Sequence, residues 1–120
     1  MMENVTKLVV WQKSIDLVAE IYRLVKKLPK EELYALSNQM RRAAVSIPSN
    51  VAEGKNRSSD KEFVRFLYMA RGSLAEIESQ LFICVKLDYL EESDTKIAFE
   101  LCDEVGKILN RMISKLSSIQ

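Results

Sequence analysis

The chain has 120 residues, 48% of them hydrophobic and 29% charged, with only three glycines and two prolines. That composition suits a single globular domain over residues 1–120 and excludes a turn-rich β-protein or a disordered linker. Eighteen basic against seventeen acidic residues leave a net charge of +1, which excludes binding driven by overall positive charge but leaves room for a local patch.

The N-terminal MMENVTKLVVWQKS has a short apolar run but no charged n-region and no small-residue cleavage site. No run of about 18 apolar residues follows, so a cytoplasmic protein with no membrane span is expected. The first amphipathic segment carries Trp11, Ile15, Val18, Tyr22 and Val25, widened by Leu17, Ile21, Leu24 and Leu28. Apolar residues at three- and four-residue steps predict a helix. Lys13, Asp16, Glu20, Arg23 and Lys27 fall on its wet side, and Pro29 ends it.

The second segment has Leu33, Leu36, Met40, Ala44, Ile47 and Val51 on one face. It starts either soon after Pro29 or at Ser37 acting as N-cap. The third has Phe63, Leu67, Ala70, Leu74, Ile77, Leu81 and Cys84, opened by a capping box of Ser59 and Glu62. The fourth has Ile97, Leu101, Val105, Ile108, Met112, Leu116 and Ile119, with Ser93 as N-cap and acidic residues at its start. Strand-like alternation is absent and the connections are short. These features predict an all-α fold, an antiparallel up-down-up-down four-helix bundle.

The stretch SIPSNVAEG, Ser46 to Gly54, interrupts this regularity. Pro48 removes the N–H that would reach the Ala44 carbonyl, at a cost of about 3 kcal/mol in a helix interior. The apolar spacing nevertheless survives across it, which predicts a second helix kinked near Pro48. The rival is a helix that stops and restarts with Asn50 and Glu53 as a local cap. Gly54 suits the left-handed position just past a helix end, leaving residues 54–58 as the linker. Gln39, Arg42, Ser46, Ser49 and Glu53 project as one stripe opposite the core. The stripe is either a solvated face or a contact surface.

The third helix points Gly72 away from its core, in mid-helix, where glycine costs about 1 kcal/mol relative to alanine. Tyr68 and Ile83 share that side, with Val64 and Phe82 on its flank. So much outward apolar area predicts burial against a second copy. Histidine is absent, removing the usual general base and the commonest metal ligand. Cys84 and Cys102 fall on apolar faces and read as buried free thiols. A carboxylate-bound metal would draw on Glu53, Glu76, Glu78 and Glu100, of which Glu53, Glu76 and Glu100 lie mostly off the core faces. No catalytic residue, metal or cofactor is therefore expected.

RRAAVSIPSNVAEG (Arg41 to Gly54), YALSNQ (Tyr34 to Gln39) and RGSLAEIE (Arg71 to Glu78) resemble the hallmarks of the 23S rRNA intervening-sequence (S23) family. VWQKS (Val10 to Ser14) and LPKEE (Leu28 to Glu32) also fit, so the similarity covers nearly the whole chain. Arg42, Ser46, Pro48, Asn50, Glu53 and Gly54 match the family motif, as do Gly72, Ser73 and Glu76. The resemblance implies an antiparallel four-helix bundle, commonly a ring-like homopentamer, and no established catalytic activity. Some members are encoded within insertions in bacterial 23S rRNA genes. Structurally related proteins are basic accessory factors for reverse transcriptases.

Charge is uneven along the chain. Residues 39–71 hold seven basic and three acidic residues, and residues 72–106 hold two basic and nine acidic. Arg41, Lys55, Arg57, Lys61 and Arg65 are the candidate nucleic-acid contacts, with Lys55 and Arg57 placed in the loop. The competing use is pairing with the acidic region of a neighbouring subunit. The sequence thus points to a non-catalytic oligomeric scaffold or adaptor for a protein or nucleic-acid partner. The alternative is a direct RNA-binding protein that uses the basic loop between helices two and three.

Overall fold

The structure, a computed structural model, describes residues 5–118. Four long helices form: α1 (Val9–Val25), α2 (Leu36–Lys55), α3 (Asp60–Lys86) and α4 (Lys96–Ser118). No strand occurs among the described residues. Each helix packs on its neighbours in chain order, and α4 closes against α1. Partners across the seams pair in descending order. Met40, Ser46 and Gly54 of α2 meet Cys84, Ser73 and Phe66 of α3, and Lys13 of α1 and Lys27 just past its end reach Glu104 and Asp94. The resulting four-helix bundle measures 46 × 22 × 20 Å.

The core of α1 is Val10, Leu17, Ile21, Leu24 and Val25, joined by Ser14, whose hydroxyl donates to the Val10 carbonyl at 2.6 Å. The expected stripe is therefore rotated. Ile15 and Tyr22 are exposed, and Trp11 and Val18 are half-buried. A helix in a square bundle buries one stripe toward the centre, and α1 carries two apolar rows. Its wet side differs too: Glu20 is buried and gripped by Arg23 at 2.6 and 2.9 Å. In α4 the same rotation places Ala98, Cys102, Val105, Leu109 and Ile113 in the core. Ile97 is exposed, and Leu101, Ile108, Met112 and Leu116 are half-buried. Small residues at 98 and 102 are fully buried there, where a search for large apolar side chains passes over them. Ile119 lies outside the described residues.

The helix ends differ from expectation in four places. A 3₁₀ turn, Lys30–Glu32, precedes α2 and leaves Leu33 exposed. Ser37 is buried in the first turn rather than capping it, and the Glu32 carboxylate accepts the Leu36 N–H at 3.3 Å. Ser59 does cap α3 by accepting the Glu62 N–H at 3.2 Å, but the Glu62 carboxylate binds Arg65 instead of reaching back. Before α4, Glu91 and Asp94 form the reciprocal box around a 3₁₀ turn, Glu92–Thr95, and Ser93 caps nothing.

Finally, Gly54 lies inside α2 with no positive φ, so the linker is residues 56–59. Its reason is steric: a Cβ there would come within 2.7 Å of Phe66 Cβ and 2.8 Å of Phe63 Cδ1. The left-handed residue belongs instead to Asp88, φ 61°, after α3. There the Tyr89 N–H reaches the Cys84 carbonyl and the Asp88 N–H the Val85 carbonyl, a Schellman ending built on an aspartate.

Candidate functional site

The Pro48 stretch is helical throughout, and α2 does not stop and restart. Pro48 is buried, and it has no N–H to give the Ala44 carbonyl its usual partner four residues on. Short polar side chains fold back around it. Ser49 Oγ donates to the Val45 carbonyl at 2.8 Å and Asn50 Nδ2 to the Ser46 carbonyl at 2.8 Å. The Ser46 hydroxyl sits 2.7 Å from the Ala43 carbonyl and 2.5 Å from Ser73 Oγ on α3. The predicted polar stripe thus divides. Gln39, Arg42, Ser49 and Glu53 are exposed, whereas Ser46 is half-buried and turns to Ser73 across the α2–α3 seam.

At the loop end of that seam, Phe66 lies between two guanidinium groups, Arg57 at 4.8 Å and Arg65 at 4.7 Å from its ring centre. Each arginine is also ion-paired, Arg57 with Glu53 at 2.9 Å and Arg65 with Glu62 at 3.2 Å. The Arg65 hydrogen bond, then its charge, holds the Glu62 carboxyl below the usual range. Lys55 and Lys61 are exposed and have no ion pair among the described residues. Arg41 stands apart, about 21 Å along α2 from Lys55 at 1.5 Å per residue. It reaches the Leu33 carbonyl at 3.4 Å. The five candidate nucleic-acid contacts therefore do not form one patch.

The outer side of α3 is apolar and open. Phe82 is 66% exposed, Tyr68 48% and Ile83 44%. A Cβ on Gly72 would have nothing within 4 Å. Arg71 lies 4.7 Å over the Tyr68 ring and donates to Asn110 Oδ1 at 3.0 Å. Phe82 and Phe99 pack with ring centres 4.9 Å apart, and with Val85, Glu92 and Lys96 they line a groove of about 490 Å³. Glu76 is exposed and accepts from Gln80 Nε2 at 3.4 Å, while the buried Gln80 Oε1 has no partner among the described residues.

Sequence reasoning missed a second open surface. Trp11, Ile15 and Val18 of α1 face Val45, Pro48 and Ala52 of α2 across a groove of about 330 Å³. It continues past Val45 to Tyr22, Arg41 and Arg42. The signal was present: α1 has two apolar rows, at 11, 15, 18, 22 and at 17, 21, 24, 28, and only one of them can face the core.

The model of the 23S rRNA-intervening sequence protein family matches residues 6–111. The chain belongs to this family. It is also similar to a crystallographically solved protein of unknown function from the S23 ribosomal protein family of Bacteroides thetaiotaomicron. The two share 25% identity and a TM-score of 0.80, over 88% of this chain and 98% of the other. No curated protein matches the chain.

In this intervening-sequence protein the motif residues do separate jobs. Gly54, Ser46 and Ser73 bring α2 and α3 together, Pro48 and Ser49 line the α1–α2 groove, and Gly72 opens the outside of α3. The thiols are poorly placed for chemistry. Burial, then Glu32, pushes Cys84 up to about 11, and burial, then Glu78, pushes Cys102 up to about 12. Among the described residues no three histidine, cysteine or acidic side chains converge into a metal site, and no helix is long and apolar enough to cross a membrane.

Proposed function

We propose that this intervening-sequence protein is a non-catalytic oligomeric scaffold of the cytoplasm that holds a protein or nucleic-acid partner. The observation that carries the reading is the outer side of α3, where Tyr68, Phe82 and Ile83 are exposed along the helix and Gly72 between them has open space above it. Burying such a face gains about 25 cal/mol per Å² of apolar surface, and a helix interior tolerates a glycine where a neighbouring backbone approaches. A ring-like homopentamer is the form the family resemblance favours. The lack of histidine and the two poorly ionising thiols support a non-catalytic role. Light scattering on the purified chain tests the reading. A mass several times 13.8 kDa is expected, and a monomer at micromolar concentration overturns it.

Direct RNA binding is the second reading, favoured by the two unpaired lysines, Lys55 and Lys61, beside the α2–α3 loop. It is weakened by the ion pairs that occupy Arg57 and Arg65, and by Asp60 and Glu62 in the first turn of α3. Phosphate binding falls steeply with added salt. Reversal of Lys55 and Lys61 to glutamate abolishes RNA retention on this reading; unchanged retention rejects it.

A further inference from the structure

We infer that this chain binds a small organic anion, a carboxylate or phosphate head on a short apolar body, in the corner pocket between the end of α1 and the start of α2. The site stands apart from the scaffold reading, and either can fail without the other.

The corner is made by the chain's own turn. The helix α1 ends at Val25, and the Lys27 and Leu28 N–H groups close back onto the Leu24 and Val25 carbonyls at 2.9 and 3.1 Å. Pro29 is extended, with φ −60° and ψ 150°, and the 3₁₀ turn Lys30–Glu32 follows it. Between these segments and the first two turns of α2 lies a pocket of about 230 Å³. Its apolar lining includes Val25 and Leu28, both buried, and the exposed Leu33. Sites for drug-sized ligands run to about 300–1,000 Å³, so this one takes a body of only a few carbons.

Three cations stand around that apolar cup: Lys26, Lys30 and Arg41. None of them has an ion pair among the described residues. Arg41 makes one long hydrogen bond, 3.4 Å to the Leu33 carbonyl. Among the described residues no acidic side chain lines the pocket. Glu31 is exposed in the turn, and the Glu32 carboxylate is taken up by the Leu36 N–H and the Tyr89 hydroxyl. Three positive charges beside apolar side chains, with no acid to answer them, suit an anion with a greasy body.

Ser37 says where the head group goes. It is only 3% exposed, yet its hydroxyl makes no hydrogen bond among the described residues. Buried hydroxyls nearly always have a partner. Nor is this one sealed in, because Gln80 Oε1 is the single buried side-chain polar atom closed off without a partner among the described residues. The Ser37 hydroxyl therefore opens on the space that Ser37 lines, which is this pocket. Ser37 also lies in the first turn of α2. There Glu32 takes the Leu36 N–H and the Ala35 carbonyl takes the Gln39 N–H, leaving those of Ser37 and Asn38 as spare donors. The start of a helix favours negative charge. The pocket thus gives work to the serine of the YALSNQ stretch, which core packing did not.

The test titrates hexanoate and hexyl phosphate into the purified full chain, followed by amide chemical shifts in NMR. Inorganic phosphate supplies a head without a body, and hexanol a body without a head. At least one of the first two should saturate with a dissociation constant of about 1 mM or tighter, the range open to about eight non-hydrogen atoms. The shifts should cluster between residues 25 and 41, and both controls should bind about tenfold more weakly or less, having lost one half of the contacts. Arg41→Gln should weaken binding about tenfold and Ser37→Ala about fivefold, with circular dichroism to confirm that both stay helical. Added salt should weaken it further. No saturation by either probe, shifts centred on another surface, or variants that bind like the wild type overturn the site. The mass from light scattering is unaffected by any of these outcomes, so the scaffold reading is judged separately.

Discussion

Two glycines mark two regions of opposite character along α3. At the seam with α2, Gly54 is buried, and a single added carbon would strike Phe66 and Phe63. On the outside of α3, Gly72 is exposed, and an added carbon would touch nothing described. The first glycine is explained by the chain's own packing, since two helices approach closely only where the intervening side chain is missing. The second has no explanation inside one copy. A residue that lowers helix propensity, on the same side of α3 as exposed Tyr68 and Ile83, acquires a physical reason only when another surface covers it. The seam is finished within the monomer, and the outer face is not.

That contrast can be broken in order of effect. Gly54→Ala should destabilise the chain by about 1–3 kcal/mol through overpacking, read as a lower urea midpoint with an unchanged slope. A neutral result would mean that the α2–α3 seam is looser than the contacts at Phe66 imply. Ser46→Ala removes the hydroxyl that meets Ser73 and the Ala43 carbonyl, and should cost about 1 kcal/mol. Gly72→Ala has the opposite sign. In dissociated chains it should raise stability by just under about 1 kcal/mol from helix propensity alone. In the assembly it should lower the association constant, measured by sedimentation, because the close approach is lost. If it raises stability and leaves association untouched, Gly72 does not face a neighbour.

The smallest effect concerns the thiol at the Met40 end of the seam. Cys84 ordinarily ionises near 9.0 and is held up to about 11 by burial and by Glu32. The folded chain therefore keeps its proton more tightly than the unfolded one. The associated stability is full below the ordinary thiol value and is lost as pH rises through about 11. Urea midpoints from pH 8 upward should fall over that window. At pH 8 a thiol reagent should label the unfolded chain quickly and the native chain slowly. Fast native labelling would place Cys84 outside the seam.

Much of this was legible in the residues. The 3.6-residue spacing of apolar positions predicts four helices, and four long helices form among the described residues. The cap at Ser59 was readable because a serine followed three residues later by glutamate offers the backbone an acceptor whatever lies elsewhere. The open side of α3 was readable because Leu67, Ala70, Leu74, Ile77 and Leu81 fix the core direction, and Tyr68, Gly72 and Ile83 fall opposite. The α1–α2 groove was not readable in the same way. Trp11, Ile15, Val18 and Tyr22 make as good a periodic row as Leu17, Ile21, Leu24 and Leu28, and spacing cannot rank two rows. Gly54 misled for a related reason. A glycine near a helix end fits a left-handed cap by local rules, and only the arrival of Phe63 and Phe66 from α3 supplies the steric reason.

The basic region shows the same division between local and distant information. A count of residues 39–71 gives an excess of four positive charges. Folding splits that excess, because Arg41 rides on the opposite end of α2 and the Phe66 arginines face their own glutamates. Arg57 with Glu53 and Arg65 with Glu62 are three or four residues apart, so these pairs were open to inspection in the sequence. The cation–π clasp on Phe66 was not, since it needs the loop to bring Arg57 back over α3.

By itself the sequence determined the helices, the buried thiols, the shortness of the connections and the family to which the chain belongs. These depend on periodicity, composition and a long contiguous motif, all of which are local along the chain. Only the tertiary structure decided which apolar row of α1 and α4 faces inward, why position 54 must be glycine, and that two open apolar faces lie on opposite sides of the bundle. Those outcomes depend on where three other helices stand. A single helix has no centre to face until its neighbours surround it.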